Sequence, residues 1–200
     1  MTDFQIVAYD EEGNKTRLNE TVQGIYTADR LTGIPENTYR LRVEINGQTF
    51  TASSKMPSLV RLDSVYFREI TLFEGPRKLT HVLFREPEGK GNYYRFMEYK
   101  NGVYNKAINV INDDLIDGNI VNQILRPGDY SDEAAYKVGD KIKVDFLTID
   151  PFVYRYWFST SASTGGDGAA TPVNPVTNLM GGALGYFSAH TIQQREYEVK

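Results

Sequence analysis

The chain contains no cysteine. That excludes disulfides, thiolate catalysis and cysteine-based zinc sites. Histidine is almost as scarce, with only His81 and His190, far apart in sequence. Neither G-x-S-x-G nor H-E-x-x-H occurs, so the usual constellations of a serine hydrolase or a zinc protease are missing. The expectation is a chain that is not an enzyme. Paired carboxylates of the glycosidase kind are the one chemistry that sequence spacing does not address, because such partners meet only in space. There is no excess of positive charge: the net charge is −4. Non-specific nucleic-acid binding needs a basic face, so nucleic acid is not an expected partner. No apolar run approaches 18 residues, so no transmembrane segment is expected. The first residues, Met1-Thr2-Asp3-Phe4, lack a basic-then-apolar leader, which predicts either a cytosolic chain or one whose leader has been removed.

Apolar and aromatic residues are plentiful. The chain has 200 residues, 40% of them hydrophobic, enough for one or two domains with a core of their own. Aromatics are mostly tyrosine and phenylalanine, which favours strands. Residues 4–9 alternate as a strand, and Glu11-Glu12-Gly13-Asn14 turns the chain. A short strand is expected at 16–18. Tyr39, Leu41, Val43 and Ile45 then alternate with Arg40, Arg42 and Glu44. Asn46-Gly47 turns this strand into 48–52, since Asn-Gly accepts the positive φ of a type I′ turn. Residues 53–57 read as a linker ending in Pro57. Further strands are expected near 60–73, 79–85, 93–99, 120–125 and 141–149, with a second Asn-Gly turn at Asn101-Gly102.

After Ile149 the period changes. Asp150-Pro151 is an N-cap followed by proline at the first helical position, so a helix near 151–161 is expected. Phe152, Val153, Tyr156 and Trp157 share one face, with Tyr154 and Phe158 beside it. An arc that wide predicts burial rather than a surface helix. Residues 161–171, rich in glycine and alanine, read as a flexible loop. The segment Asn174–Phe187 carries Gly181, Gly182 and Gly185 among Leu179, Met180, Leu184, Tyr186 and Phe187. It is too apolar for a free tail. It predicts a packed turn over the helix, a strand at 184–190 and another at 191–199. It is not a phosphate loop, because the lysine and the following helix of a P-loop are missing.

Two candidate sites follow. Trp157 with Tyr154 and Tyr156 is the best aromatic cluster for stacking on a sugar or anchoring a partner; core packing is the reading favoured for it. Asp113 and Asp117 in the acidic turn 112–118 fit two positions of a calcium loop. Leu115 stands at the middle ligand and Ile124 where the bidentate glutamate belongs. A solvated turn is the better reading, and no metal or cofactor is expected.

Several pieces in order resemble a known family. They are Gly47–Ala52 with Met56-Pro57, Leu62–Phe67, Asp113–Gly118, Val138–Val144, Tyr154–Trp157, Asn174-Pro175, Asn178, and Gly181-Gly182-Ala183-Leu184-Gly185-Tyr186-Phe187. Together they are similar to the Bacteroidetes outer-membrane lipoproteins that contain domain of unknown function 4249. The resemblance implies an exported, lipid-anchored protein of the cell envelope, outer-membrane associated or periplasmic. It implies an immunoglobulin-like β portion ahead of a C-terminal β domain, and a TonB-dependent outer-membrane receptor as partner. It supplies no catalytic residues. The chain departs from the family at its front, with no lipobox cysteine and a first β region short of the roughly 100 residues of an immunoglobulin-like domain. The expected form is truncated or naturally short.

The expected architecture is mainly β. A partial immunoglobulin-like sheet at 1–57 precedes an antiparallel β-sandwich at 58–200 with one short helix. The expected function is a non-catalytic accessory or binding protein for TonB-dependent uptake. A carbohydrate- or peptide-binding module is the second reading and a hydrolase the third.

Overall fold

Strands take up most of the chain, and the reason is the period-2 alternation along it. The computed structural model describes residues 4–29, 31–72, 75–131, 134–164 and 174–200. In chain order the strands are β1 Phe4–Tyr9, β2 Lys15–Val22, β3 Ile25–Thr27, β4 Thr38–Ile45 and β5 Gln48–Lys55. Then come β6 Leu62–Leu72, β7 Gly75–Arg85, β8 Tyr93–Lys100, β9 Val103–Tyr104, β10 Asn109–Asn112, β11 Ile120–Ile124 and β12 Lys141–Ile149. The helix α1, Pro151–Thr164, precedes β13 Leu179–Met180 and β14 Thr191–Glu198. The sheets are antiparallel and α1 is the one helix among the described residues.

Two compact units form. The first comprises Met1–Ser58 and Ile149–Thr191, the second Leu59–Thr148 and Ile192–Lys200. Residues 149–191 thus group with the N-terminal strands.

The first unit is a six-stranded sheet in the order β13-β5-β4-β1-β2-β3. Asn46 and Gly47 turn β4 into β5 with φ of 50° and 79°, as a type I′ turn requires. The edge strand β13 comes from far along the chain, with Leu179 opposite Ala52 and Met180 opposite Thr51. That pairing is the reason the glycine-rich segment joins this unit. Residues 53–55, expected to be linker, continue β5 instead. Ser54 is buried, and its hydroxyl bonds the Asp150 carboxylate. The other carboxylate oxygen of Asp150 accepts the N–H groups of Phe152 at 2.8 Å and Val153 at 2.9 Å. This is the expected N-cap, worth about 1 kcal/mol.

Helix α1 runs three residues further than expected, and the rest of the predicted loop, 165–171, lies outside the described residues. Its apolar arc is divided rather than wholly covered. Val153 is buried, and Tyr186 sits 4.8 Å from Tyr156 and 5.3 Å from Trp157, ring to ring. Phe152 and Phe158 remain about half exposed. The segment 177–187 is closed on itself by Asn178, whose side chain donates to the Phe187 carbonyl at 2.7 Å and accepts the Phe187 N–H at 2.9 Å. Thr177 adds a hydroxyl bond to the Gly185 carbonyl at 2.6 Å. The strand expected at 184–190 does not form: these backbone groups serve the closed turn instead of a ladder, and pairing resumes at Thr191.

The second unit is a β-sandwich. One sheet has the order β10-β8-β12-β14 with β9 beside β8, the other the order β11-β7-β6. Val65, Val82, Phe84 and Val121 from the smaller sheet face Tyr94, Phe96, Ile142, Val144 and Phe146 from the larger. Phe84 bridges them, with ring centres 5.0 Å from Tyr94, 6.1 Å from Phe96 and 4.9 Å from Phe146. Each such ring taken from water contributes on the order of 1.5–3 kcal/mol.

Candidate ligand-binding cleft

The β8–β9 hairpin builds one wall of a cleft in the second unit. Asn101 and Gly102 form its turn with φ of 51° and 81°. Tyr94, Phe96, Glu98 and Lys100 fall on one face of β8 by alternation, so a carboxylate and an ammonium extend the line of core rings. Glu98 is buried at 3% exposure and accepts the Asn105 side-chain amide at 2.9 Å. The Asn105 carbonyl oxygen accepts the N–H groups of Ala107 at 3.0 Å and Gly128 at 2.8 Å. Asn105 thus fixes the 105–107 loop, the 127–129 loop and Glu98 together. Gly128 packs closely here: a Cβ would lie 2.6 Å from Asn105 Oδ1 and 3.0 Å from the Ala107 backbone nitrogen. Lys100 is tied down by the carbonyls of Ala134 and Ala135 and by Asp140 at 3.2 Å.

The cleft encloses about 520 Å³. Val103, Tyr104, Pro127, Ala134 and Tyr136 give it an apolar body, and Lys106 and Asp129 lie at its polar rim. A smaller hollow of about 260 Å³ shares Pro127, Asp129, Ala134 and Tyr136 with it. The Tyr136 hydroxyl lies 3.0 Å from Thr80 Oγ1. Burial first, and the neighbouring Glu98 charge second, hold it protonated well above the ordinary tyrosine range. An apolar hollow with a few fixed polar groups is the general form of a small-ligand site. Sequence reading missed it. The usable signal was Glu98 standing on the core face of an otherwise aromatic strand.

The sequence candidates sit elsewhere. Asp113 and Asp117 are brought to the 86–92 loop and bond backbone, not each other. Asp113 accepts the Asn92 N–H at 2.8 Å and Asp117 the Gly89 N–H at 2.8 Å. Beside them Glu86 is buried at 1% exposure and accepts the Asn92 amide at 2.9 Å. Burial raises its pKa, Tyr94 and Asn92 pull it back, and Asp113 and Asp117 raise it further. The folded chain therefore holds this proton more tightly than the unfolded chain. Stability from Glu86 is complete below the ordinary glutamate value and is lost as pH rises through the folded pKa. Glu86→Gln is expected to raise the free energy of unfolding at pH 7 by on the order of 1 kcal/mol and to shrink the stabilisation gained on acidification. Parallel pH profiles for the variant and the parent would refute the assignment.

The aromatic trio divides. Tyr156 and Trp157 meet edge to face at 5.4 Å, while Tyr154 stacks on Phe158 at 5.6 Å. The histidines belong to different units. His81 Nδ1 lies 3.0 Å from Asn122 Oδ1 and its ring stacks on Tyr66. His190 Nδ1 lies 3.0 Å from Ser188 Oγ.

These features define a mainly β protein of two units with a fixed, apolar-bodied cleft in its sandwich. The chain belongs to the family described as Domain of unknown function (DUF4249), whose profile matches residues 5–196. No curated protein and no solved structure matches it.

Proposed function

We propose that this protein is a non-catalytic binding protein of the cell envelope that works beside a TonB-dependent outer-membrane receptor and retains a small ligand during uptake. The observation that carries the binding role is the cleft of about 520 Å³ between Tyr104 and Tyr136. Its walls are held by Asn105 and Lys100 bonds, so it is formed before a ligand arrives. The family resemblance supports the envelope and receptor half of the reading. A carbohydrate- or peptide-binding module is the second reading, favoured by the two tyrosines, which present flat apolar rings with a polar tip. A hydrolase is the third and rests on the Ser188–His190 contact alone.

A thermal-shift screen of neutral oligosaccharides and short peptides tests the cleft. A ligand present at 100 times its Kd stabilises the fold by about 2.7 kcal/mol. Val103 is 71% exposed, so Val103→Asp should leave the fold intact and abolish the shift. Shifts retained in that variant would remove the cleft from the proposal. Recovery of the tagged chain from the cytosol alone, in its own host, would sink the envelope role.

A further inference from the structure

The open face of the first unit's sheet carries an ordered set of donors. Arg40 and Arg42 alternate on β4 and so project from one face, about 7 Å apart along the strand. The register extends this face sideways. Val7 lies opposite Arg42 on one side and Arg17 on the other. Tyr9 likewise lies between Arg40 and Lys15. Directly opposed residues share a face, so Arg17, Arg42, Arg40 and Lys15 stand at four corners around Val7 and Tyr9. Each row places its two cations two strand spacings apart, about 10 Å. Beyond β4, Thr51 is opposite Arg42 and Ser53 opposite Arg40.

A hollow of about 440 Å³ opens on this face, lined by Tyr9, Arg40, Arg42, Thr51, Ser53 and Met180 among others. No acidic side chain lines it. Glu44, next on the same face of β4, pairs with Arg42 through Nε at 3.0 Å and Nη2 at 2.5 Å, and Lys15 Nζ sits 5.9 Å over the Tyr9 ring. Arg17 and Arg40 make no ion pair among the described residues. In a chain of net charge −4, four cations around Tyr9 with one carboxylate, Glu44, paired to Arg42 leave a local excess of positive charge. Such a face attracts anions and offers guanidinium forks for their oxygens.

We propose that this face is a binding site for an acidic oligosaccharide, with one carboxylate or sulfate group held between Arg40 and Arg42 and a second reaching Arg17 or Lys15. A saccharide fits better than an acidic peptide. The donors are hydroxyls and guanidiniums spread around a flat ring, on which a sugar face can stack. The backbones of β1 and β4 are paired on both sides within the sheet, so a peptide finds no strand edge there to extend. The site is in the first unit and does not depend on the cleft of the second.

Calorimetric titration of the intact chain tests it with four probes: a sulfated tetrasaccharide, tetragalacturonate, the neutral parent tetrasaccharide and hexaglutamate. The acidic sugars are expected to bind, and to weaken as salt rises from 50 to 300 mM. Arg40→Gln should weaken both by about 10- to 100-fold. Lys55→Gln, which removes a cation paired with Glu36 instead, should leave both unchanged. Both substitutions are at exposed side chains, so neither should disturb the fold. Equal binding of the neutral sugar, undiminished binding by Arg40→Gln, or binding of neither acidic sugar overturns the proposal. Hexaglutamate binding as tightly as the sugars overturns the ligand class.

Discussion

Replacing Gly181 with alanine is expected to lower stability by about 2–6 kcal/mol, far more than the same change at Gly182 beside it. Two effects add at Gly181. Its φ is +97°, a region that costs a side-chain-bearing residue about 1–3 kcal/mol. A Cβ there would also lie 2.7 Å from the Thr49 carbonyl oxygen and 3.0 Å from the Phe50 ring. Thr49 is a backbone partner in β5 and cannot swing aside, so the β13 edge must part from it, and forced overpacking of this kind costs about 1–3 kcal/mol more. Gly182 has a φ of +86° but open space where its Cβ would go. Only the backbone term acts there. Urea denaturation of both variants at matched m-values decides the matter. Equal losses would mean that β13 is not docked on β5 as described.

The second large effect is expected at Phe84. It is fully buried and touches three aromatic rings of the opposite sheet. Phe84→Ala removes the bridge between the two sheets and leaves a cavity that Tyr94, Phe96 and Phe146 cannot fill without leaving their rotamers. A loss of about 3–5 kcal/mol follows, with a weaker near-ultraviolet dichroism from the disturbed ring cluster. Phe158→Ala, at a half-exposed helix position, should change stability by less than about 1 kcal/mol. A Phe84→Ala midpoint within that smaller range would show that the sandwich does not close on this ring.

Local signals in the sequence located most of the elements. The two Asn-Gly turns, the alternation in 4–9, 39–45 and 141–149, and the Asp150-Pro151 cap all follow from what single residues permit at φ and from the two-residue repeat of a strand. Such features need no distant partner, so they are readable in order along the chain. The absence of cysteine was just as decisive, because a missing thiol has no substitute in a disulfide or a thiolate zinc site.

Long-range pairing decided the rest. Ser54 reads as linker until Asp150 is brought to its hydroxyl. Leu179 and Met180 read as part of a C-terminal domain until they pair with Ala52 and Thr51. Asp113 reads as part of a solvated turn until the 86–92 loop buries it and supplies an amide donor to it. The cleft and the arginine face are likewise products of tertiary structure. Val103, Asn105, Pro127 and Tyr136 converge only when loops meet at one end of the sandwich, and Arg17 joins Arg42 only through the register of β1 with its two neighbours. The alternation along a strand fixes which residues share a face. Which strand lies next to it, and at what offset, is set by the packing of the whole chain.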